Sequence, residues 1–296
     1  MIFLVLANLF WSGNYVAGRF LSTAMPPLLL NGIRWTVSAA ILLLLVRARG
    51  GRTPLVRHAP LLGLLGLVGM FLFSALTYLG LQQVPAAQAG MISGLIPIFI
   101  MLFGAALTGE RPTAQGVVGT LLAVVGVLVL MAGKLGHGAI SGTGALELLV
   151  AAICWGAYTA LGRRFKDRMG PLEMTAGAAV FGAIPSIAAG ALSLQGATLH
   201  MTPVAWLAVA YVSTVASVVA YLAWNSGVAA VGTVRSAPFS NLLPVFTVVL
   251  GILLLGERVT LLEALGGALT VVGALLSQTR RSAAGPPVAP KEQVAP

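Results

Sequence analysis

The chain has 296 residues, 58% of them hydrophobic and only 8% charged, with 17 basic against 7 acidic side chains and a net charge of +10. A soluble domain of this length carries about 25% charged residues, so a water-soluble fold is excluded. The apolar residues come in blocks of about twenty, enough to cross ~30 Å of hydrocarbon as helix, and the bases cluster between the blocks, which points to membrane topology rather than nucleic acid.

In chain order, the apolar runs predict spans over 2–21, 28–46, 60–81, 88–108 and 115–133. After a Gly-rich connection, a second set falls at 145–162, 172–194, 203–224, 235–255 and 260–277. Met1 opens directly on apolar residues with no basic n-region or cleavage site, so the first block reads as a span rather than a signal peptide, and a preceding tail is left open. Gly170-Pro171 and Thr202-Pro203 read as helix starts, and Thr260-Leu261-Leu262-Glu263 as a capping box. The segment after Gln278, rich in Pro and Ala, is expected to be a disordered cytoplasmic tail. The single cysteine, Cys154, leaves no disulfide or cysteine-ligated metal within the chain.

The bases orient the chain. With the N-terminus inside, Arg47, Arg49, Arg52 and Arg57 lie in one inner loop and Arg163, Arg164, Lys166 and Arg168 in another. Only Arg19, Lys134 and Arg258 fall outside. The positive-inside bias therefore predicts both termini in the cytoplasm.

An internal repeat is the sharpest feature. Gly80, Ser93, Leu95, Pro97, Phe99, Gly109, Glu110, Arg111 and Thr113 recur at one constant offset, without a gap, as Gly227, Ser240, Leu242, Pro244, Phe246, Gly256, Glu257, Arg258 and Thr260. Five spans per half is an odd number, so the second half must enter the membrane inverted. The expected fold is an all-α integral membrane protein of ten helices, built as two inverted five-helix repeats around a central cavity. The repeats are expected at 1–133 and 145–277, joined by 134–144 and followed by a tail at 278–296. Inverted repeats are a common construction of alternating-access carriers and place the substrate near the midplane.

Gly109-Glu110-Arg111-Pro112-Thr113 and Gly256-Glu257-Arg258-Val259-Thr260 close the fourth and ninth spans. Trp11-Ser12-Gly13-Asn14-Tyr15 and Trp155-Gly156-Ala157-Tyr158 open the two halves. With Arg34 in span two, these motifs resemble the drug/metabolite transporter superfamily, specifically its EamA-type ten-helix carriers, and within them the YddG-type exporters of aromatic and other amino acids. The resemblance implies a bacterial inner-membrane exporter with a cavity shared by both halves and no cofactor. Small multidrug relatives place a glutamate in the first span where this chain has Asn14, which argues against proton-driven export of cationic drugs.

Several residues could carry transport. Pro97 and Pro244 lie about nine residues into their spans, ~13 Å deep. Each removes a helical bond to the carbonyl of Ser93 or Ser240, so these serines could bind an ammonium and the prolines could act as hinges; a kink satisfied by neighbouring groups is the competing reading. Asn14, Tyr15, Tyr78, Trp155, Tyr158, Tyr221, Asn225 and Asn241 could line the cavity, where amides, phenols and ring faces suit a zwitterion with an aromatic side chain. Trp206 and Trp224, close to span ends, read instead as interfacial anchors. Arg34 could hold a substrate carboxylate or snorkel outward. Glu110 and Glu257 read as locks at helix junctions.

All the carboxylates fall at span ends or in loops, so obligatory proton coupling is not expected. His58, His137 and His200 lie in loops, and neither a metal cluster, a nucleophile–base pair nor a phosphate-binding loop is evident. The expected partners are a small-molecule substrate and the lipid bilayer, with no enzymatic role. The oligomeric state is open, and a monomer is compatible with everything above. A multidrug or cation exporter of the same superfamily, or a channel, are the alternatives.

Overall fold

The computed structural model describes residues 1–53, 55–132, 141–164, 167–255 and 261–276. Among them the chain forms ten helical rods, one on each predicted span. They are α1 (Ile2–Leu21), α2 (Pro27–Ala48), α3 (Ala59–Gln83), α4 (86–108), α5 (Ala114–Ala132), α6 (Gly142–Arg164), α7 (Pro171–Ser193), α8 (Pro203–Val231), α9 (233–255) and α10 (Leu261–Leu276). By length and composition α2, α3, α6, α7 and α8 are each sufficient to cross a bilayer. The Gly256–Thr260 motif and its capping threonine, most of the 134–144 connection and the tail from 278 lie outside the described residues.

Local chemistry sets the helix starts. Pro27, Pro171 and Pro203 occupy first-turn positions, where a missing N–H costs nothing. Thr202 caps α8, its hydroxyl accepting from the Ala205 N–H at 3.2 Å. Pro97 and Pro244 act differently from the kinks their depth suggested. In α4 a complete 3₁₀ turn, Ser93–Leu95, separates Ala86–Ile92 from Ile96–Thr108, and in α9 Ala237–Asn241 precedes Leu242–Leu255. Each proline therefore sits in the first turn of a helix that restarts, where it is tolerated.

A feature without a sequence signal is a pair of π-helical segments, Gly66–Leu72 in α3 and Val215–Val219 in α8. They stand at corresponding places in the two halves. Such wider turns release carbonyls from the helical ladder and often mark functional sites.

The halves are inverted relative to one another. A constant offset carries Leu4, Trp11, Gly18, Arg19 and Pro27 onto Leu148, Trp155, Gly162, Arg163 and Pro171, making α1 equivalent to α6 and α2 to α7. Yet α2 and α7 run antiparallel: Gly32 abuts Ser186, and Gly190 abuts Leu28 and Leu29. The equivalent pair α5 and α10 does the same, with Gly273 against Gly119 and Ala123 and the Gln115 amide donating to the Leu276 carbonyl at 2.9 Å. Single contacts repeat too. A Cβ built on Gly80 would lie 2.6 Å from Leu148, and one on Gly227 2.6 Å from Leu4, the same leucine-on-glycine contact made in both directions between the halves. Small residues allow this approach where lipid supplies no hydrophobic drive between helices.

Candidate functional site

Where α1 and α6 meet at the centre, the matched residues Trp11 and Trp155 stack edge to face with centroids 4.8 Å apart. Tyr221 packs on both at 5.5 and 5.3 Å, Trp224 on both at 5.5 and 5.8 Å, and Phe73 on Trp155 at 4.7 Å. Edge-to-face pairs of this kind contribute about 0.5–1.5 kcal/mol each beyond burial. Trp224 is fully buried and its Nε1 donates to Thr159 Oγ1 at 3.2 Å, so the interfacial role expected of it is wrong. Its nearness to a predicted span end misled, because α8 continues to Val231. Trp206 is exposed.

The two π-helical segments feed this centre with carbonyls. Gly69 O accepts from Tyr221 OH at 2.9 Å, and Ala216 O, at the matched position of the second half, accepts from Trp11 Nε1 at 2.9 Å. The Tyr158 ring lies directly on Gly69, leaving no room there for a side chain.

On the side away from the N-terminus, Arg34 is 2% exposed. Its guanidinium donates to Ser217 Oγ, to Tyr78 OH at 2.8 Å and to Ala216 O at 3.5 Å. It also lies 5.0, 5.5 and 6.0 Å from the ring centroids of Trp35, Tyr78 and Tyr221. Hydrogen bonds and ring faces offset part of the desolvation of a buried cation. Arg34 does not snorkel. Tyr78 OH in turn donates to Asn14 Oδ1 at 2.8 Å, so Arg34, Tyr78 and Asn14 form one chain of hydrogen bonds.

The other half has a counterpart nearer the N-terminal face. Asn225 Nδ2 donates to Tyr158 OH at 2.8 Å, and the same amide to Thr175 Oγ1 at 2.9 Å. By the repeat offsets Tyr78 corresponds to Asn225 and Asn14 to Tyr158. The amide–phenol bond is conserved in place while its two ends are exchanged.

A central cavity of about 20 Å³ is lined by Trp11, Asn14, Tyr15, Arg34, Trp155 and Ser240, with Asn8, Phe73, Ile96 and Leu243 completing its wall. That volume holds about one water and is far below the ~300 Å³ where ligand sites begin. Five predicted residues meet at this cavity: Asn14, Tyr15, Arg34, Trp155 and Ser240. Tyr78 and Ser93 stand one bond behind it, Ser93 through its hydroxyl contact with Tyr15 OH. Tyr158 and Tyr221 belong to the aromatic cluster, and Asn225 borders a separate 30 Å³ cavity with Thr159 and Arg163. Asn241 is fully buried without a hydrogen-bond partner among the described residues, and it lines neither cavity. Trp11, Phe73 and Ser217 are contributors that sequence reasoning passed over. The match of Trp11 to Trp155 was the available signal for the first; nothing local marks the other two.

Glu110 behaves as a junction lock. Its carboxylate accepts from the Val234 N–H at 2.9 Å and pairs with Arg163 Nε at 3.3 Å, while Arg163 Nη1 donates to Ala229 O at 2.7 Å. At the opposite face the matched Arg19 donates to Gln82 O at 2.8 Å, the equivalent carbonyl. Glu257 lies outside the described residues. Among the described residues no group of three or more His, Cys, Asp and Glu could hold a metal.

Comparison with known proteins agrees with this architecture. A solved crystal structure superposes with a TM-score of 0.75 at 26% identity, covering 93% of this chain and 95% of that one. A protein of Escherichia coli named as a probable amino-acid metabolite efflux pump is 30% identical over 89% of each chain. The aromatic amino acid exporter YddG of Ancylobacter novellus is 32% identical over 58% of this chain and 60% of its own. The model of the EamA-like transporter family matches twice, over residues 1–132 and 142–279, and the chain belongs to that family of multi-pass membrane transporters, within the drug/metabolite transporter superfamily.

Proposed function

We propose that this chain is a secondary carrier that exports amino acids, aromatic ones included, across the bacterial inner membrane with both termini in the cytoplasm. The observation that carries the reading is the placement of the buried Arg34 guanidinium on the wall of an aromatic-lined cavity between the two halves. An α-carboxylate would pair with Arg34 and Ser240, an aromatic side chain would lie among Trp11, Phe73 and Trp155, and the ammonium would face Asn14 and Tyr15. The printed activities of the Escherichia coli and Ancylobacter relatives support the same substrate class. The halves rock about the centre, with the interrupted helices α4 and α9 taking up the motion beside Pro97 and Pro244. The repeats at 1–133 and 145–277 are then the two moving units, joined by the connection at 134–144.

A buried cation on the cavity wall, the only one among the described residues, speaks against a cation exporter, which needs an acid at the centre. The described carboxylates Glu110, Glu147, Asp167 and Glu173 do not line the cavity. Transport is therefore proposed to run without obligatory proton coupling. Counterflow of labelled phenylalanine in proteoliposomes, against a panel of amino acids and drug cations, tests both points. Saturable exchange that survives collapse of the pH gradient is expected; exchange abolished by the collapse rules out the uncoupled mechanism, and non-saturable flux indicates a channel.

A further inference from the structure

Resting on that reading of the site, the charge balance around the cavity separates the two ends of an amino acid. Arg34 brings a cationic guanidinium to the cavity, and no carboxylate contacts it among the described residues. Its partners are neutral: two hydroxyls, one carbonyl and three ring faces. The second half supplies no matching cation, because Ala178 occupies the equivalent of Arg34. Ser240, 3% exposed, lines the same cavity, and its buried hydroxyl has no hydrogen-bond partner among the described residues. A buried cation and an unused hydroxyl donor on one small cavity together call for one anionic oxygen ligand.

Nothing comparable awaits an ammonium group. It would meet only the dipoles of Asn14 and Tyr15 and the aromatic faces, each much weaker than an ion pair. The cavity therefore demands the carboxylate and merely tolerates the amine. We propose that the physiological substrate class extends to aromatic monocarboxylates that lack the α-ammonium, and that their export is electrogenic. The carrier returns with Arg34 still charged, so each cycle moves the net charge of the substrate alone. For a zwitterion that charge is zero; for a 2-hydroxy or 2-oxo aryl acid it is one negative charge. An inside-negative membrane potential then drives the acid outward, which supplies an energy source without a central proton carrier.

The test compares L-phenylalanine, L-3-phenyllactate and phenethylamine on the full chain in proteoliposomes, with empty liposomes subtracted for leakage. On a solid-supported membrane, phenyllactate is expected to give a current carrying negative charge in its direction of transport, and phenylalanine transport without current. With valinomycin and a tenfold potassium gradient, phenyllactate should accumulate about tenfold on the positive side, as a monovalent anion must at equilibrium; phenylalanine should only equalise. Phenethylamine should neither be transported nor compete. Arg34→Lys, which keeps the charge, is expected to retain the current with a raised KM, and Arg34→Gln to lose phenyllactate transport. If neither variant folds, the voltage dependence of the unaltered protein still decides. Phenylalanine exchange with no phenyllactate transport, or phenyllactate transport without current, overturns the inference and leaves amino-acid export standing. Failure of both substrates overturns the amino-acid reading itself.

Discussion

The polar clusters of the two halves invite comparison because they are built on the same bond and end differently. In the first half Tyr78 on α3 donates to Asn14 on α1; in the second, Asn225 on α8 donates to Tyr158 on α6, phenol and amide having changed places. The first cluster continues to a charged group, Arg34, and the second to a neutral one, Thr175. Symmetry thus preserves the geometry of helix contact while the chemistry diverges. A cation at the matched position of the second half would be a further buried charge to offset, and Ala178 stands there instead.

Six substitutions, one of them a control, probe that difference and its surroundings, in order of expected effect. Arg34→Ala removes the only buried charged side chain among the described residues. Phenylalanine counterflow should lose about 100-fold or more in apparent affinity, the scale of deleting one partner of a buried charged contact. An unchanged KM in a folded Arg34→Ala protein would mean the first cluster is structural. Next come the phenols. Tyr78→Phe deletes the acceptor of a charged donor, about 1.5–3 kcal/mol, whereas Tyr158→Phe loses a neutral bond of about 1 kcal/mol. Roughly tenfold or more against a few-fold is expected in apparent affinity, and equal losses would erase the distinction between the halves.

Gly69→Ala forces a methyl into the Tyr158 ring and should lower stability by about 1–3 kcal/mol, as overpacking does. Gly63→Ala meets only Phe181, at 3.9 Å, and is the tolerant control in a thermal-unfolding assay. The smallest effect belongs to Glu110→Gln. It keeps an acceptor for the Val234 N–H but loses the ion pair with a partly exposed Arg163, worth about 1 kcal/mol or less. A large loss of stability would show that the junction is held by charge rather than by capping.

Much of this was legible in one dimension. Apolar block length follows directly from the thickness of the bilayer, so all ten helices could be read from residue type alone. The repeat did the same for the inversion, since an odd number of spans leaves no other option. Of the proposed site, Asn14, Tyr15, Arg34, Trp155 and Ser240 were identifiable because polar or ionisable groups are costly in hydrocarbon and therefore conspicuous.

Other features required the tertiary structure. Apolar residues are not conspicuous in an apolar chain, so Trp11 and Phe73 gained a role only once α1, α3 and α6 were seen to converge. The π-helical segments arise from contacts between helices and carry no residue code, and they decide which carbonyls, Gly69 O and Ala216 O, face the centre. Pairing was the last thing to emerge. The sequence by itself determined where each phenol, amide and guanidinium sits along its helix, because burial in lipid constrains residue type. Only the packing of one half against the other decided that Tyr78 meets Asn14 and Arg34, and that Asn225 meets Tyr158, because hydrogen bonds depend on ångström-scale proximity that spans of similar hydrophobicity do not encode.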